Sequence, residues 1–152
     1  MSFVVRYPDR TALLDPMIHF AREELEHFHQ VYKLLARRGL ELAPDEEDPY
    51  VNLLMKAVRH GRDERFLDRL LVSAVIEARG TERLNLVADV LTDPELKQFY
   101  LRLARAEAQH KNVFIDLAEQ FFPLDVVKTR LSWWLDFEAE CIQKVPFTSR
   151  LH

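Results

Sequence analysis

The chain has 152 residues, 48% of them hydrophobic, which is room for one domain with a real core and too little for two. Only 3 glycines stand against plentiful Leu, Ala, Glu and Arg, the composition of an all-helical protein. The formal charge of -4 excludes the global basic field of a general nucleic-acid binder, and the lone Cys141 excludes an internal disulfide or a Cys-x-x-Cys metal knuckle.

No apolar run approaches the roughly eighteen residues that span a bilayer, and the N-terminus lacks a charged-then-apolar signal layout. With one cysteine, a reducing compartment is expected, the cytoplasm by default, with no membrane partner.

Residues 1–8 are largely apolar and end at Pro8, so they read as the last turns of an element. Asp15-Pro16 predicts a helix start, with Asp as N-cap and Pro at the first helical position, running to about Arg38 and stopped by Gly39. Its expected apolar stripe is Ile18, Ala21, Leu25, Phe28, Val31 and Leu35. Leu40 to Tyr50 is an acidic, proline-bearing linker, followed by a short helix over Val51 to Arg59 closed by Gly61. Together they are long enough to run back along a helix of roughly 35 Å, as a long crossover in a bundle does.

Asp63 is the expected cap of a helix from Glu64 to Leu91, interrupted by Gly80. Thr92-Asp93-Pro94 repeats the cap-then-proline signature and opens a helix to about Phe122, and the short connection makes these two an antiparallel hairpin. Pro123 breaks the chain, Asp125 caps again, and a final helix to about Gln143 carries Trp133, Trp134, Leu135, Phe137 and Ile142. A single domain is expected over 1–145, with a frayed tail over 146–152.

The chemistry lies in three helical stretches. Glu24 and His27 form a Glu-x-x-His, which sets a carboxylate and an imidazole on one helix face about a turn apart. Glu107 and His110 repeat the spacing. Between them Glu77 sits in an apolar run, its face neighbours Leu70, Ser73, Ala74, Thr81 and Leu84 small or apolar. A buried carboxylate is costly unless paired or bound to a metal, and Arg79 and Arg83 are off its face. One such motif is a common surface pair; two, with an embedded Glu between, match three quarters of the template of ferritin-like di-iron bundles, Glu, Glu-x-x-His, Glu, Glu-x-x-His. Carboxylates bridge two metals about 3.5 to 4 Å apart, and Glu, His and open positions suit an iron centre that meets oxygen. Ser73 and Thr81, a turn either side of Glu77, leave room for a ligand.

Other features carry less. Glu23, Glu26 and the Asp45-Glu46-Glu47-Asp48 run are expected to face water, and Trp133-Trp134 to be core plus rim. Lys56, Arg59, Arg62, Arg65 and Arg69 form the one basic concentration, a solvated face or a local phosphate-contacting patch.

The chain resembles the bacterial tRNA 2-methylthio-isopentenyladenosine hydroxylases, the MiaE family. The resemblance rests on Arg6-Tyr7-Pro8, on Ala21-Arg22-Glu23-Glu24-Leu25 with His27-Phe28, on Ile76-Glu77-Ala78-Arg79 with Glu82-Arg83, and on Glu107-Ala108 with His110. It implies a ferritin-like up-down helical bundle and an oxygen-dependent, non-haem di-iron monooxygenase acting on the prenyl side chain of a hypermodified adenosine in tRNA. By the same resemblance Glu24, His27, Glu77, Glu107 and His110 would ligate two irons, with Glu24, Glu77 and Glu107 the catalytic carboxylates, O2 the co-substrate, and a reductase or ferredoxin the electron donor. Gly80-Thr81 and Leu84 replace the family's Ser-Cys and Phe, and Gln109 replaces an Arg. The family's first helix, bearing the first ligand Glu, should precede Arg6-Tyr7-Pro8. Its near absence implies a truncated first helix, or a completing partner chain. Two rival readings are a ferritin- or rubrerythrin-like iron-binding or peroxide-handling protein and a metal-free helical interaction module.

Overall fold

The computed structural model describes residues 2–146, so the tail expected over 146–152 lies, beyond its first residue, outside the described residues. Among the described residues the chain is all helix, with elements α1 (Ser2–Arg6), α2 (Thr11–Arg37), α3 (Pro49–Lys56), α4 (Arg62–Val90), α5 (Pro94–Phe121) and α6 (Leu124–Lys144). They fall into two compact units, Met1–Glu46 and Glu47–His152.

In the first unit α1 is a single turn that closes onto Tyr7, whose amide donates to the Phe3 carbonyl at 2.9 Å. Backbone bonds from Arg10 to Tyr7 and from Leu13 to Arg10 then lead directly into α2. The helix therefore starts at Thr11, and Pro16 lies inside it rather than at its first position; Asp15 is not its cap. Proline deletes one backbone bond there. Burial of Leu13 and Met17, on either side of it, offsets that loss.

The expected stripe of α2 is corrected as well. Ile18, Leu25 and Phe28 are exposed, Leu25 at 68%, whereas Leu13, Met17 and Leu34 are buried. At 100° per residue the row of buried Leu13, Met17 and Leu34, with half-buried Val31, also carries Glu24 and His27. The polar pair thus shares the covered face and the larger apolar side chains face out. The C-terminus stops as expected: Gly39 adopts φ +68, with its amide on the Ala36 carbonyl and that of Leu40 on Leu35, a Schellman closure.

The second unit begins at α3, capped by Asp48, whose side chain accepts from the amides of Tyr50 and Val51. One member of the acidic run is therefore a helix cap, and the helix starts two residues before the expected Val51. α4 starts at Arg62 with Gly61 at the cap and no side-chain cap bond; Asp63 and Glu64 lie in its first turn, where carboxylates favour the helix dipole. The cap at Asp93 is as expected, its carboxylate accepting from Glu95 and Leu96. Three residues join α4 to α5, which forces the antiparallel hairpin. Pro123, not Asp125, occupies the α6 cap.

The hairpin core is Phe66, Leu67, Leu70, Leu71, Ala74 and Val75 from α4 against Phe99, Phe114, Leu117 and Ala118 from α5. Phe66 meets Phe121 edge-on at 5.2 Å, locking the open end of the hairpin. From α6, Trp134 and Cys141 are buried while Trp133 is 40% exposed, stacked on Phe137 at 5.1 Å and under the Arg130 guanidinium at 3.8 Å.

Candidate metal centre

Long uninterrupted helices deliver the donors. In α4, the buried run from Phe66 to Val75 fixes the rotation of the helix, and two residues further on Glu77 follows in the same register. In α5 the buried residues Ala104, His110, Phe114 and Leu117 set the inward face, and Glu107 lies one turn before His110. The hairpin brings the three together: His110 Nδ1 is 2.7 Å from Glu107 Oε2 and 3.9 Å from Glu77 Oε2. Their side chains are little exposed, 3% for His110, 13% for Glu107 and 19% for Glu77.

These separations fit a shared cation. Donors bonded at about 2.1 Å to one metal stand about 3 to 4 Å from each other, which the 3.9 Å pair meets and the 2.7 Å pair undercuts by a few tenths of an ångström. Two carboxylates and one imidazole, sheltered from water, are also a hard-to-borderline donor set suited to iron. In α2, taken by itself, His27 Nδ1 is 3.6 Å from Glu24 Oε1, with His27 14% and Glu24 40% exposed. The first Glu-x-x-His therefore has its donors on one helix face, as its spacing predicts.

Arg79, in the same motif as Glu77, has another task. It donates to both oxygens of Glu138 on α6, at 2.8 and 2.9 Å, and also pairs with Glu82. The Tyr50 hydroxyl donates to the same Glu138 at 3.1 Å; burial, and then the Glu138 charge, push its pKa well above the usual phenol range. Arg83 lies over the Tyr50 ring at 5.3 Å.

A second buried carboxylate was missed by sequence reasoning. Asp68 is fully buried, and Arg59 and Arg130 each give it two side-chain hydrogen bonds of 2.7 to 2.9 Å, with the Arg59 amide and the Trp134 indole adding to them. Burial alone would push the Asp68 carboxyl up, but the hydrogen bonds from Arg59 and Arg130 outweigh it and bring it down to about 2. The signal was present: Asp68 stands in the apolar register of Leu67, Leu70 and Leu71, as Glu77 stands in its own. The basic concentration is thereby reduced. Arg59 is occupied by Asp68 and Glu64, Lys56 and Arg62 are exposed, and Arg65 and Arg69 are half-buried.

Residues 1–152 match the family described as tRNA-(MS[2]IO[6]A)-hydroxylase (MiaE). The chain belongs to the MiaE family. Among MiaE relatives, a tRNA 2-(methylsulfanyl)-N(6)-isopentenyladenosine(37) hydroxylase of Pseudomonas putida is 36% identical over 121 residues, covering 80% of this chain and 58% of the relative. One of the same name from Salmonella typhimurium is 34% identical over 140 residues, covering 92% and 51%. The chain thus spans a little over half the length of the curated MiaE relatives it matches. A solved structure, a Synechococcus protein with aldehyde deformylating oxygenase activity, superposes with a TM-score of 0.90 at 34% identity, over 99% of this chain and 74% of that one. The all-α, ferritin-like fold expected of a MiaE chain is the one observed.

Proposed function

We propose that this chain binds two irons through Glu24, His27, Glu77, Glu107 and His110 and belongs to an O2-dependent hydroxylase of the isopentenyl side chain of a hypermodified adenosine in tRNA. The observation that carries the reading is the meeting of Glu77, Glu107 and His110 within 3.9 Å in a sheltered stretch of the α4–α5 hairpin. The names borne by the MiaE relatives supply the substrate class.

When bound, iron supplies the oxygen chemistry that no side chain can perform on an unactivated C–H bond. The protein's own contribution is placement. The apolar run of α4 holds Glu77 on a rigid helix, and Phe114 and Leu117, next along α5, keep water from the Glu107 and His110 donors. The i, i+3 spacing on α5 brings Glu107 Oε2 to 2.7 Å from His110 Nδ1, so the two donors converge on one point. Arg79 holds α4 to α6 two residues past Glu77, so the carboxylate stands on an anchored turn.

An external reductase or ferredoxin delivers the electrons, and a tRNA substrate places the work in the cytoplasm. Lys56, Arg62, Arg65 and Arg69 are the side chains proposed to meet phosphates, Arg59 being engaged elsewhere. No described helix is long and apolar enough to cross a membrane.

The test is anaerobic Fe(II) loading with metal-to-protein stoichiometry. Two irons per chain, lost in Glu77→Ala and in His110→Ala, support the reading. A parent that takes up no iron, with melting temperature unchanged in both variants, would instead identify a metal-free helical module.

A further inference from the structure

Thr81 follows Glu77 by one turn of α4, on the same face. Side chains on a helix lean toward its N-terminus, so the Thr81 hydroxyl is carried back over the turn that bears Glu77. Its Oγ1 is buried and makes no hydrogen bond within the chain. A threonine inside a helix commonly returns its hydroxyl to the carbonyl four residues back, here that of Glu77; Thr81 does not. Its own carbonyl is used by Asn85 Nδ2 at 2.9 Å, but the hydroxyl is left over. The adjacent Gly80 has no heavy atom within 4 Å of where a Cβ would stand, so the backbone here borders open space.

A buried hydroxyl that satisfies nothing is costly, and valine would fill the same volume without that cost. We infer that the Thr81 hydroxyl is the hydrogen-bond donor to a small exogenous ligand, a solvent molecule or small anion, held beside Glu77 in the metal centre. This rests on the metal reading above and makes Thr81 a positioning residue that does not itself ligate the metal. A freely rotating hydroxyl suits the role, since it can turn to whichever lone pair the ligand presents.

The experiment is an azide titration of the iron-loaded, oxidised chain, followed by the azide-to-iron charge-transfer absorption, with iron per chain and melting temperature recorded for every variant. Thr81→Val is expected to keep its iron and weaken azide binding by about fivefold or more, the loss of one hydrogen bond. Thr81→Ser should stay within about twofold of the parent. A hydroxyl with only a structural role would move the melting temperature and leave the azide affinity of Thr81→Val unchanged, and that result overturns the inference while the metal reading stands. A parent chain that takes up no iron overturns both. Should Thr81→Val lose iron, Thr81→Ala is read in its place by the same criterion.

Discussion

Arg79 and Glu138, far apart in sequence, meet through two parallel hydrogen bonds of 2.8 and 2.9 Å, and Glu138 is almost wholly buried. The pair fastens α6 to the turn of α4 that carries Glu77. Removing Arg79 leaves the buried Glu138 carboxylate with no cation beside it and, of these donors, only the Tyr50 hydroxyl. Arg79→Met is expected to destabilise by about 3 to 5 kcal/mol. The double variant Arg79→Met, Glu138→Leu should recover most of that loss. Urea unfolding of the metal-free chain checks both, and equal midpoints for parent and Arg79→Met would count against the anchor.

Asp68 makes acid stability predictable in sign. Its folded pKa of about 2 lies below the ordinary 3.8, so the ionised form is favoured by folding. Its stabilisation is fully present above about pH 4 and is lost as pH falls through about 2. The shift corresponds to roughly 2 kcal/mol. Asp68→Asn should be less stable at neutral pH and show a flatter dependence between pH 4 and 2, measured as denaturation midpoints across that range.

α4 runs unbroken through Gly80, contrary to the interruption expected there, and no steric reason calls for a glycine. Its φ is not positive and a Cβ would meet nothing within 4 Å. Gly80→Ala is therefore expected to stabilise by about 0.5 to 1 kcal/mol through the helix propensity of alanine. Thermal unfolding checks this, with iron stoichiometry expected to remain unchanged.

The remaining cations separate by task. Replacing Lys56, Arg62 and Arg65 together by Gln should reduce the slope of log affinity for tRNA against log salt by about 2, while stability changes little. Arg59→Gln should do the reverse, lowering stability because it strips the buried Asp68 of donors. Fluorescence anisotropy with labelled tRNA, paired with melting curves, distinguishes the two classes.

Several helix ends were legible because they are local signals: Asp93-Pro94 caps α5 and Gly39 stops α2. The two Glu-x-x-His motifs each set a carboxylate and an imidazole on one helix face, as their spacing predicts. The rotation of α2 was not legible. Leu25 and Phe28 are larger and more apolar than Glu24 and His27, so a hydrophobic pattern assigns the wrong pair to the covered face. Asp15-Pro16 misled for a related reason: a good cap signal was overridden by burial of Leu13, one turn before Pro16, and of the adjacent Met17. Asp68 and Glu138 depend on arginines distant in sequence, and no period reveals a partner 62 or 59 residues away.

The stretch after Gly39 has practical importance. Residues 40–47 are exposed and form no helix or strand, so this is where a protease would cut or an engineer would split the chain. Each resulting fragment would retain one Glu-x-x-His, Glu24 and His27 on the first, Glu107 and His110 on the second. Cleavage there would leave the helices of each compact unit whole, α1 and α2 in the first and α3 to α6 in the second.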